Sequence, residues 1–253
     1  MTVKVHRDGA ACVLTVDRPE RKNALDPATL TALGDAAWSL AGDPSVRAVV
    51  LTGAHGAGVF LSGGDLQELA SIRTADEARA MASVAHAAVD GLRALGVPII
   101  AAVNGDAYGG GCELAAACDY RICDDGVRFH WVQTRFAVTT GWGGASNLLD
   151  MVPRGVALRW LLEGRPVPAV EAHSAGFADE IVPVGTSLTR AVTFAHHVAR
   201  NSRDATTRML TLLRESGRLS RADARALELR EFGASWATEE HHSAVAAFLA
   251  RAR

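Results

Sequence analysis

The hydrophobic positions of this chain fall into two kinds of segment. In some they alternate with polar residues or run unbroken, which predicts strands, and in others they recur every three or four residues, which predicts helices. The predicted strands cover residues 4–6, 12–16, 46–52, 98–103, 120–123 and a short piece near 127–129. The predicted helices cover residues 27–41, 65–70, 75–94 and the alanine-rich run that begins near residue 110. This alternation of strands and helices indicates an α/β fold.

The pattern changes in the second half of the chain. From Arg154 onward the spacing is mostly helical, interrupted by a loop and strand at residues 179–184. From about Ser187 the composition shifts to Ala, Arg, Leu and Glu at helical spacing. We therefore expect two regions, a core over residues 1–190 and a C-terminal helical region over residues 191–253.

The charge balance and the apolar content exclude several classes of protein. The 253 residues include 26 Lys and Arg against 28 Asp and Glu, a formal net charge of −2, so neither nucleic acid nor an anionic membrane surface is expected as a partner. The longest apolar run, residues 97–103, is far shorter than the roughly 20 residues that cross a bilayer. Residues 1–6 lack the apolar core of a signal peptide, which favours a cytoplasmic location. The four cysteines and nine histidines show no metal-ligand spacing, so no metal site is expected.

Glycine is concentrated in two short segments. The chain has 24 glycines, and clusters lie at residues 62–66 (SGGDL) and 109–111 (GGG), each between a predicted strand and a predicted helix. Backbone N–H groups point outward unsatisfied at such junctions, and glycine lets a ligand approach them closely. Each cluster alone is compatible with a plain tight turn. Two amides from two loops can instead hold one oxygen, which is the geometry of an oxyanion hole.

Several segments together resemble the crotonase (enoyl-CoA hydratase/isomerase) superfamily, in the right order and over almost the whole chain. They are residues 18–25 (RPERKNAL), 60–66 (FLSGGDL), 109–114 (GGGCEL), 141–144 (GWGG) and 175–182 (AGFADEIV). The resemblance implies a spiral of ββα units with a C-terminal helical subdomain that supports homotrimers, often paired into hexamers. It also implies an acyl-CoA substrate, with coenzyme A as part of that substrate and no separate cofactor.

The resemblance also assigns site residues. The amides of Gly64 and Gly110 would bind the thioester oxygen, and Glu113 would act in proton transfer. The implied substrate contacts are Lys22, Ala24, Ser62, Asp65, Leu66, Tyr108, Gly109, Gln133, Thr140 and Trp142. For some of these the residues allow a structural role instead. Lys22 is equally compatible with a solvated loop charge, and Tyr108 and Trp142 with packing residues. Asp65 is better explained as a helix N-cap than as a catalytic residue.

One expected carboxylate is missing. In the hydratases of this superfamily a second glutamate stands at the position of Gln133, and hydration needs both an acid and a base. An amide cannot exchange a proton near neutral pH. We therefore expect ordinary hydration of an enoyl-CoA to be impaired.

Three functions stay open. Residues 140–144 (TGWGG), residues 62–66 (SGGDL) and the lost glutamate resemble ethylmalonyl/methylmalonyl-CoA decarboxylases. The first hypothesis is therefore decarboxylation of a short alkylmalonyl-CoA, with Glu113 as the acid that quenches the enolate. The alternative is an enoyl-CoA hydratase/isomerase that uses Glu113 as its single carboxylate. The third is a CoA-binding or scaffold protein without catalysis, against which the retained Glu113 and both glycine loops argue.

Overall fold

The computed structural model describes residues 2–251 and divides the chain into two compact units, residues 1–196 and 197–253. The sequence placed the boundary after residue 190, which lies inside helix α8 (Ser187–Val198).

A six-stranded sheet forms the centre of the first unit. Its spatial order is β1 (Val3–Asp8), β2 (Ala11–Val16), β3 (Ala48–Gly53), β5 (Ile99–Val103), β7 (Tyr120–Asp124) and β10 (Glu180–Val182). The hairpin β1–β2 is antiparallel and every later pair is parallel. All residues of β3 and β5 are buried, which explains their unbroken apolar sequences. The predicted α/β fold is confirmed.

A second, smaller sheet was not predicted as such. It has the order β4 (Val59–Leu61), β6 (Asp106–Tyr108), β8 (Arg128–His130) and β9 (Pro166–Pro168). Only β8 was predicted, as the short piece near residues 127–129. Strands of three residues are too short to show a period, and two of the missed strands carry proline or aspartate. As a result, the 62–66 loop follows β4 rather than β3, where the sequence had placed it.

The helices of the first unit lie between these strands. They are α1 (Pro27–Leu40), α2 (Leu66–Leu69), α3 (Ala75–Ala94), α4 (Gly110–Ala117), α5 (Gly144–Leu149), α6 (Arg154–Glu163), α7 (Ala169–Ser174) and α8. Helix α1 begins where the sequence predicts it, because the Asp26 side chain accepts the Thr29 N–H and Pro27 occupies the first turn. Helix α3 begins with a capping box formed by Thr74 and Glu77.

The core of the first unit has two parts. The larger cluster includes apolar residues of α1, α3 and α4 together with side chains from both sheets. The smaller cluster joins strand residues such as Val13 and Val50 to Ala191 and Ala195 of α8. Helix α4, which carries Glu113, is almost entirely buried in the larger cluster. The loop at residues 109–110, at the start of α4, and the loop at residues 62–65, after the buried strand β4, are thus both attached to the core of the unit.

The second unit consists of helices α9 (Arg203–Glu215), α10 (Arg221–Trp236) and α11 (Glu239–Arg251). Arg208 on α9 pairs with Glu231 on α10, with the Nη1 and Oε2 atoms 2.9 Å apart. Apolar side chains of this unit are exposed, including Leu213, Phe232 and Phe248. Within residues 2–251, no helix has the length and apolarity needed to cross a membrane. The same residues contain no cluster of three or more His, Cys, Asp or Glu side chains able to hold a metal ion.

Candidate active site

The first glycine loop is held by the segment that precedes α1. The Leu25 N–H donates to the Gly63 carbonyl at 2.8 Å, and the Asp65 N–H donates to the Leu25 carbonyl at 3.4 Å. Gly64 itself is paired with Leu25 as an isolated parallel bridge. In such a bridge the neighbours of Gly64 supply the hydrogen bonds, so the Gly64 N–H lies outside the pairing. It is therefore available to a ligand.

Asn23 fixes the strand that leads into this loop. It is fully buried with a positive φ of 53°, and its side-chain amide donates to the carbonyls of Ala54 at 3.2 Å and Val59 at 3.0 Å. Asparagine tolerates this backbone conformation better than most residues. Its role explains the asparagine in the RPERKNAL segment. The resemblance implied backbone contacts with CoA for the segment 22–25, but it gave the Asn23 side chain no role of its own.

Asp65 is occupied by structural contacts. Its carboxylate accepts the Gln67 N–H at 3.2 Å at the start of α2 and lies 3.3 Å from the Arg18 guanidinium. Arg18 also reaches Asp26 at 3.0 Å, so it links the starts of α1 and α2. These contacts match the N-cap alternative for Asp65.

The second glycine loop begins helix α4. Gly109 has a φ of +47°, which favours glycine, and Gly110 is the first helical residue. The Gly110 N–H has no acceptor within its own helix and lies at the positive end of the helix dipole. A Cβ added to Gly63 would lie 3.0 Å from the Gly110 nitrogen, so the two loops are in contact. The structure thus brings the two predicted glycine clusters together.

Glu113 lies one turn into α4 and is 3% exposed. Its Oε1 accepts from Gln133 Nε2 at 2.9 Å. Its Oε2 accepts from the backbone N–H of Trp142 at 2.7 Å and of Gly144 at 2.9 Å. Three donors hold this carboxylate in one position and stabilise negative charge on it. The arrangement suits a proton acceptor with a defined direction.

Gln133 opens a 3-10 turn, Gln133–Phe136, and is 8% exposed. Its side-chain nitrogen is used by Glu113, and its Oε1 has no hydrogen-bond partner among the described residues. A buried acceptor without a partner costs free energy, which a donor on a ligand or a water molecule would recover. Gln133 therefore contacts the carboxylate and leaves a polar atom available.

Trp142 is buried against both glycine loops. A Cβ added to Gly110 would overlap its indole, and one added to Gly64 would lie 3.9 Å from indole Cη2. Trp142 is 6% exposed. Trp142 therefore makes two contacts in the site: its backbone N–H donates to Glu113, and its indole ring packs against the two glycines.

Among the remaining predicted residues, Ser62, Leu66, Tyr108 and Gly109 belong to or adjoin the two loops in sequence, whereas Lys22, Ala24 and Thr140 lie in other segments. The Tyr108 hydroxyl donates to Asp106 at 3.3 Å, and its ring stacks on His130 with 4.1 Å between centroids. Burial, followed by the charge of Asp106, raises the pKa of Tyr108. Thr140 Oγ1 accepts the Ala145 N–H at 3.2 Å. Of the others, Lys22 and Leu66 are exposed, Ser62 is partly buried, and Ala24 and Gly109 are buried.

The contacts that orient Glu113 were missed at the sequence level. The backbone donors of Trp142 and Gly144 are far from Glu113 in sequence. Almost every residue type has a backbone N–H, so the amino-acid sequence does not show which of them will donate to Glu113. The one available signal is Gly144, where an added Cβ would lie 2.5 Å from Glu113 Cγ. Glycine is required there because the glutamate side chain packs on it.

Two adjoining glycine loops beside one buried, hydrogen-bonded glutamate, in a fold of this topology, define a protein of the crotonase type. The sequence profile of the family described as Enoyl-CoA hydratase/isomerase matches residues 6–253. The chain is 32% identical over 248 residues to a probable enoyl-CoA hydratase of Mycobacterium bovis, covering 98% of this chain and 95% of the relative. It is 33% identical over 245 residues to the 2,3-dehydroadipyl-CoA hydratase of Escherichia coli, covering 97% and 94%. The chain therefore belongs to the enoyl-CoA hydratase/isomerase family.

A solved structure agrees with this assignment. The crystal structure of an enoyl-CoA hydratase from Polaromonas sp. JS666 superimposes with a TM-score of 0.92 at 29% identity, covering 98% of this chain and 97% of that one. The expected crotonase-type fold is thereby confirmed. The protein is an enzyme of this family that acts on an acyl-CoA.

Proposed function

We propose that this enzyme moves a double bond in an enoyl-CoA by transferring one proton, with Glu113 as the only carboxylate that exchanges it. The observation that carries the proposal is the environment of Glu113, in which three N–H donors hold a buried carboxylate beside the two glycine loops. The Gly64 and Gly110 amides would bind the thioester oxygen. A donor of this kind is worth roughly 2.7–4 kcal/mol of barrier in other enzymes.

The proposed reaction needs one base and no second acid. Glu113 removes a proton from C2 of a 3-enoyl-CoA, and the electron pair moves through the dienolate to the thioester oxygen. The same carboxyl group then returns the proton to C4, and the double bond ends between C2 and C3. No atom is gained or lost, so a single carboxylate balances the step.

Hydration is the second candidate, and it is favoured by the similarity to the probable enoyl-CoA hydratase of Mycobacterium bovis and the 2,3-dehydroadipyl-CoA hydratase of Escherichia coli. Against it stands Gln133, whose amide cannot act as the partner acid or base. A water molecule could use the unpartnered Gln133 Oε1, so slow hydration with Glu113 acting alone is compatible with the site.

Decarboxylation of a short alkylmalonyl-CoA, the first hypothesis from the sequence, stays a prediction. The relatives quoted above are named as hydratases and lend it no support. Glu113 accepts hydrogen bonds on both carboxyl oxygens, and a carboxylate in this position would repel the carboxylate of a malonyl ester. The non-catalytic scaffold hypothesis is likewise weakened by a carboxylate held in one orientation.

A panel of thioesters tests the proposal. The protein is incubated with 3-enoyl-, crotonyl-, methylmalonyl- and ethylmalonyl-CoA, and products are followed by mass and by absorbance of the conjugated thioester. We expect isomerisation of the 3-enoyl ester to exceed the other reactions, and we expect Glu113→Gln to lower it by about 10²–10⁴-fold. Glu163→Gln, at an exposed site, is the matched control. Unchanged isomerisation in the Glu113 variant, or faster release of CO₂ from a malonyl ester, would overturn the proposal.

We also propose the remaining properties that the resemblance implies. Coenzyme A enters as part of the substrate without a separate cofactor, and copies of the chain associate as a homotrimer or a dimer of trimers. Exposed apolar side chains on the second unit support association. The cytoplasmic location stays a prediction that cell fractionation can test.

A further inference from the structure

The acyl side of the candidate site is shaped by Trp142. The six-membered edge of its indole lies against the backbone of Gly110 and within 3.9 Å of a Cβ position on Gly64. These are the two residues whose amides are proposed to bind the thioester oxygen. A group attached to the thioester carbon must therefore pass close to this ring.

The ring has little room to move aside, because Trp142 is only 6% exposed. The backbone N–H of Trp142 donates to Glu113 Oε2 at 2.7 Å, which also holds the main chain of this residue in place. Leu69 Cδ1 lies 2.5 Å from the same added Cβ position on Gly64 that indole Cη2 approaches to 3.9 Å. Trp142 and Leu69 thus form an apolar wall on that side of Gly64, and a packed apolar wall resists insertion of further methylene groups.

We propose that Trp142 is a specificity-determining residue that restricts this enzyme to CoA thioesters with short acyl chains. The inference rests on the proposed function, because it takes Gly64 and Gly110 as the thioester contacts. Trp142 limits the length of the chain, while its backbone N–H orients Glu113. These two roles are separable, because a substitution at Trp142 keeps the backbone donor.

The expected discrimination follows from pocket energetics. One methylene too many or too few in an apolar pocket changes specificity by about 10–200-fold. The affinity of the wild-type enzyme for acyl-CoA should therefore fall sharply beyond a certain acyl chain length, which we call the break. Removing the indole should move this break to longer acyl chains.

Binding of non-reacting thioesters tests the inference independently of the reaction. Dissociation constants of acetyl-, butyryl-, hexanoyl-, octanoyl- and decanoyl-CoA are measured by calorimetry, with free CoA as reference, for wild type, Trp142→Ala and Trp142→Leu. We expect the wild type to bind butyryl-CoA at least 10-fold more tightly than octanoyl-CoA, and both variants to lose or reverse this preference. Trp38→Ala, at a tryptophan that is 73% exposed on α1, is the control and should keep the wild-type pattern.

Each outcome has a defined meaning. Equal binding of butyryl- and octanoyl-CoA by wild type would overturn the inference, as would a break that both variants leave in place. Circular dichroism confirms that each variant is folded, and Trp142→Leu serves if Trp142→Ala is not. A shifted break without isomerase activity would support Trp142 and reject the proposed reaction. Failure of every thioester to bind would reject both.

Discussion

At the scale of single residues, the site depends on glycines that differ in what they permit. Gly109 supplies a positive φ, whereas Gly111 and Gly144 supply space: an added Cβ would overlap the Leu61 carbonyl at Gly111 and the Glu113 side chain at Gly144. The sequence shows only that glycine is abundant. The structure shows which glycines the chemistry requires, and why alanine would not replace them.

Gly144→Ala is expected to displace Glu113 while leaving the fold intact. The added Cβ would meet Glu113 Cγ at 2.5 Å, so the carboxylate must turn away from the Trp142 and Gly144 donors. A misplacement of about 1 Å can cost roughly 10²-fold in rate. We expect turnover to fall by about that factor, measured as kcat on the substrate that proves active. Gly155→Ala on α6 is the matched control, because nothing lies within 4 Å of its added Cβ. Equal activity in the two variants would contradict the packing argument.

At the scale of elements, Asp106 joins the strands that end at the second glycine loop. Its Oδ1 accepts the Arg128 N–H at 2.8 Å, and its Oδ2 lies 3.1 Å from His130 Nε2. The paired residues Tyr108 and His130 stack at the ends of β6 and β8, directly before Gly109. We therefore expect Asp106 to hold the backbone that leads into Gly110 through its contacts with β8.

Asp106→Ala is expected to lower kcat more than it raises KM. It removes the acceptor for Arg128 and His130, so β6 and the start of α4 become less constrained, while the first glycine loop keeps its own contacts. Losing the hydrogen bond from the Arg128 N–H to this carboxylate, which is 25% exposed, also costs about 0.5–1.5 kcal/mol of stability, seen in a denaturant titration. Asp106→Asn keeps one acceptor oxygen and should recover part of both losses. If the asparagine variant is as impaired as the alanine variant, the hydrogen bond to Arg128 is not what matters.

Helices α6 and α7 are linked by a pH-dependent contact. Hydrogen bonds from Arg165, assisted by the Trp160 indole N–H, lower the pKa of Glu171 to about 2. Because the folded-state pKa lies below the unfolded value of about 4.3, the stabilisation is present above pH 5 and is lost as pH falls towards 2. The carboxylate is about one-third exposed, so screening reduces the contribution to about 1 kcal/mol at pH 7.

Glu171→Gln should therefore be less stable than wild type at pH 7 and nearly equal to it at pH 2.5. Urea unfolding at the two pH values measures the gap. Glu228→Gln, at an exposed position of α10, is the control and should show a smaller gap at pH 7. A gap for Glu171→Gln that is the same at both pH values would show that the charge of Glu171 is not responsible.

At the scale of the whole molecule, the long periodic segments were predictable, whereas three of the three-residue strands were not. The strands β2 and β3 and the helices α1 and α3 were found within two residues of their predicted ends, because an apolar period and a cap such as Asp26 define them. Strands β4, β6 and β9 have three residues each, and tertiary pairing rather than local pattern creates them. The same holds for the site: residue type pointed to Glu113, but its backbone donors depend on the fold.

The exposed apolar side chains of the second unit bear on how many copies of the chain associate. Leu213, Phe232 and Phe248 are 73%, 60% and 71% exposed on the second unit, and apolar surface of this kind is typical of contacts between subunits. We expect light scattering after size exclusion to give three or six chain masses.

Phe232→Asp would place a charge in the contact and should shift the protein to smaller species, whereas Glu228→Gln, one turn earlier on α10, should not. Closed symmetry limits the number of copies, so a mass that rises without limit with concentration would indicate nonspecific association instead. A wild-type protein with one chain mass would leave these side chains without a partner copy and would contradict the trimer.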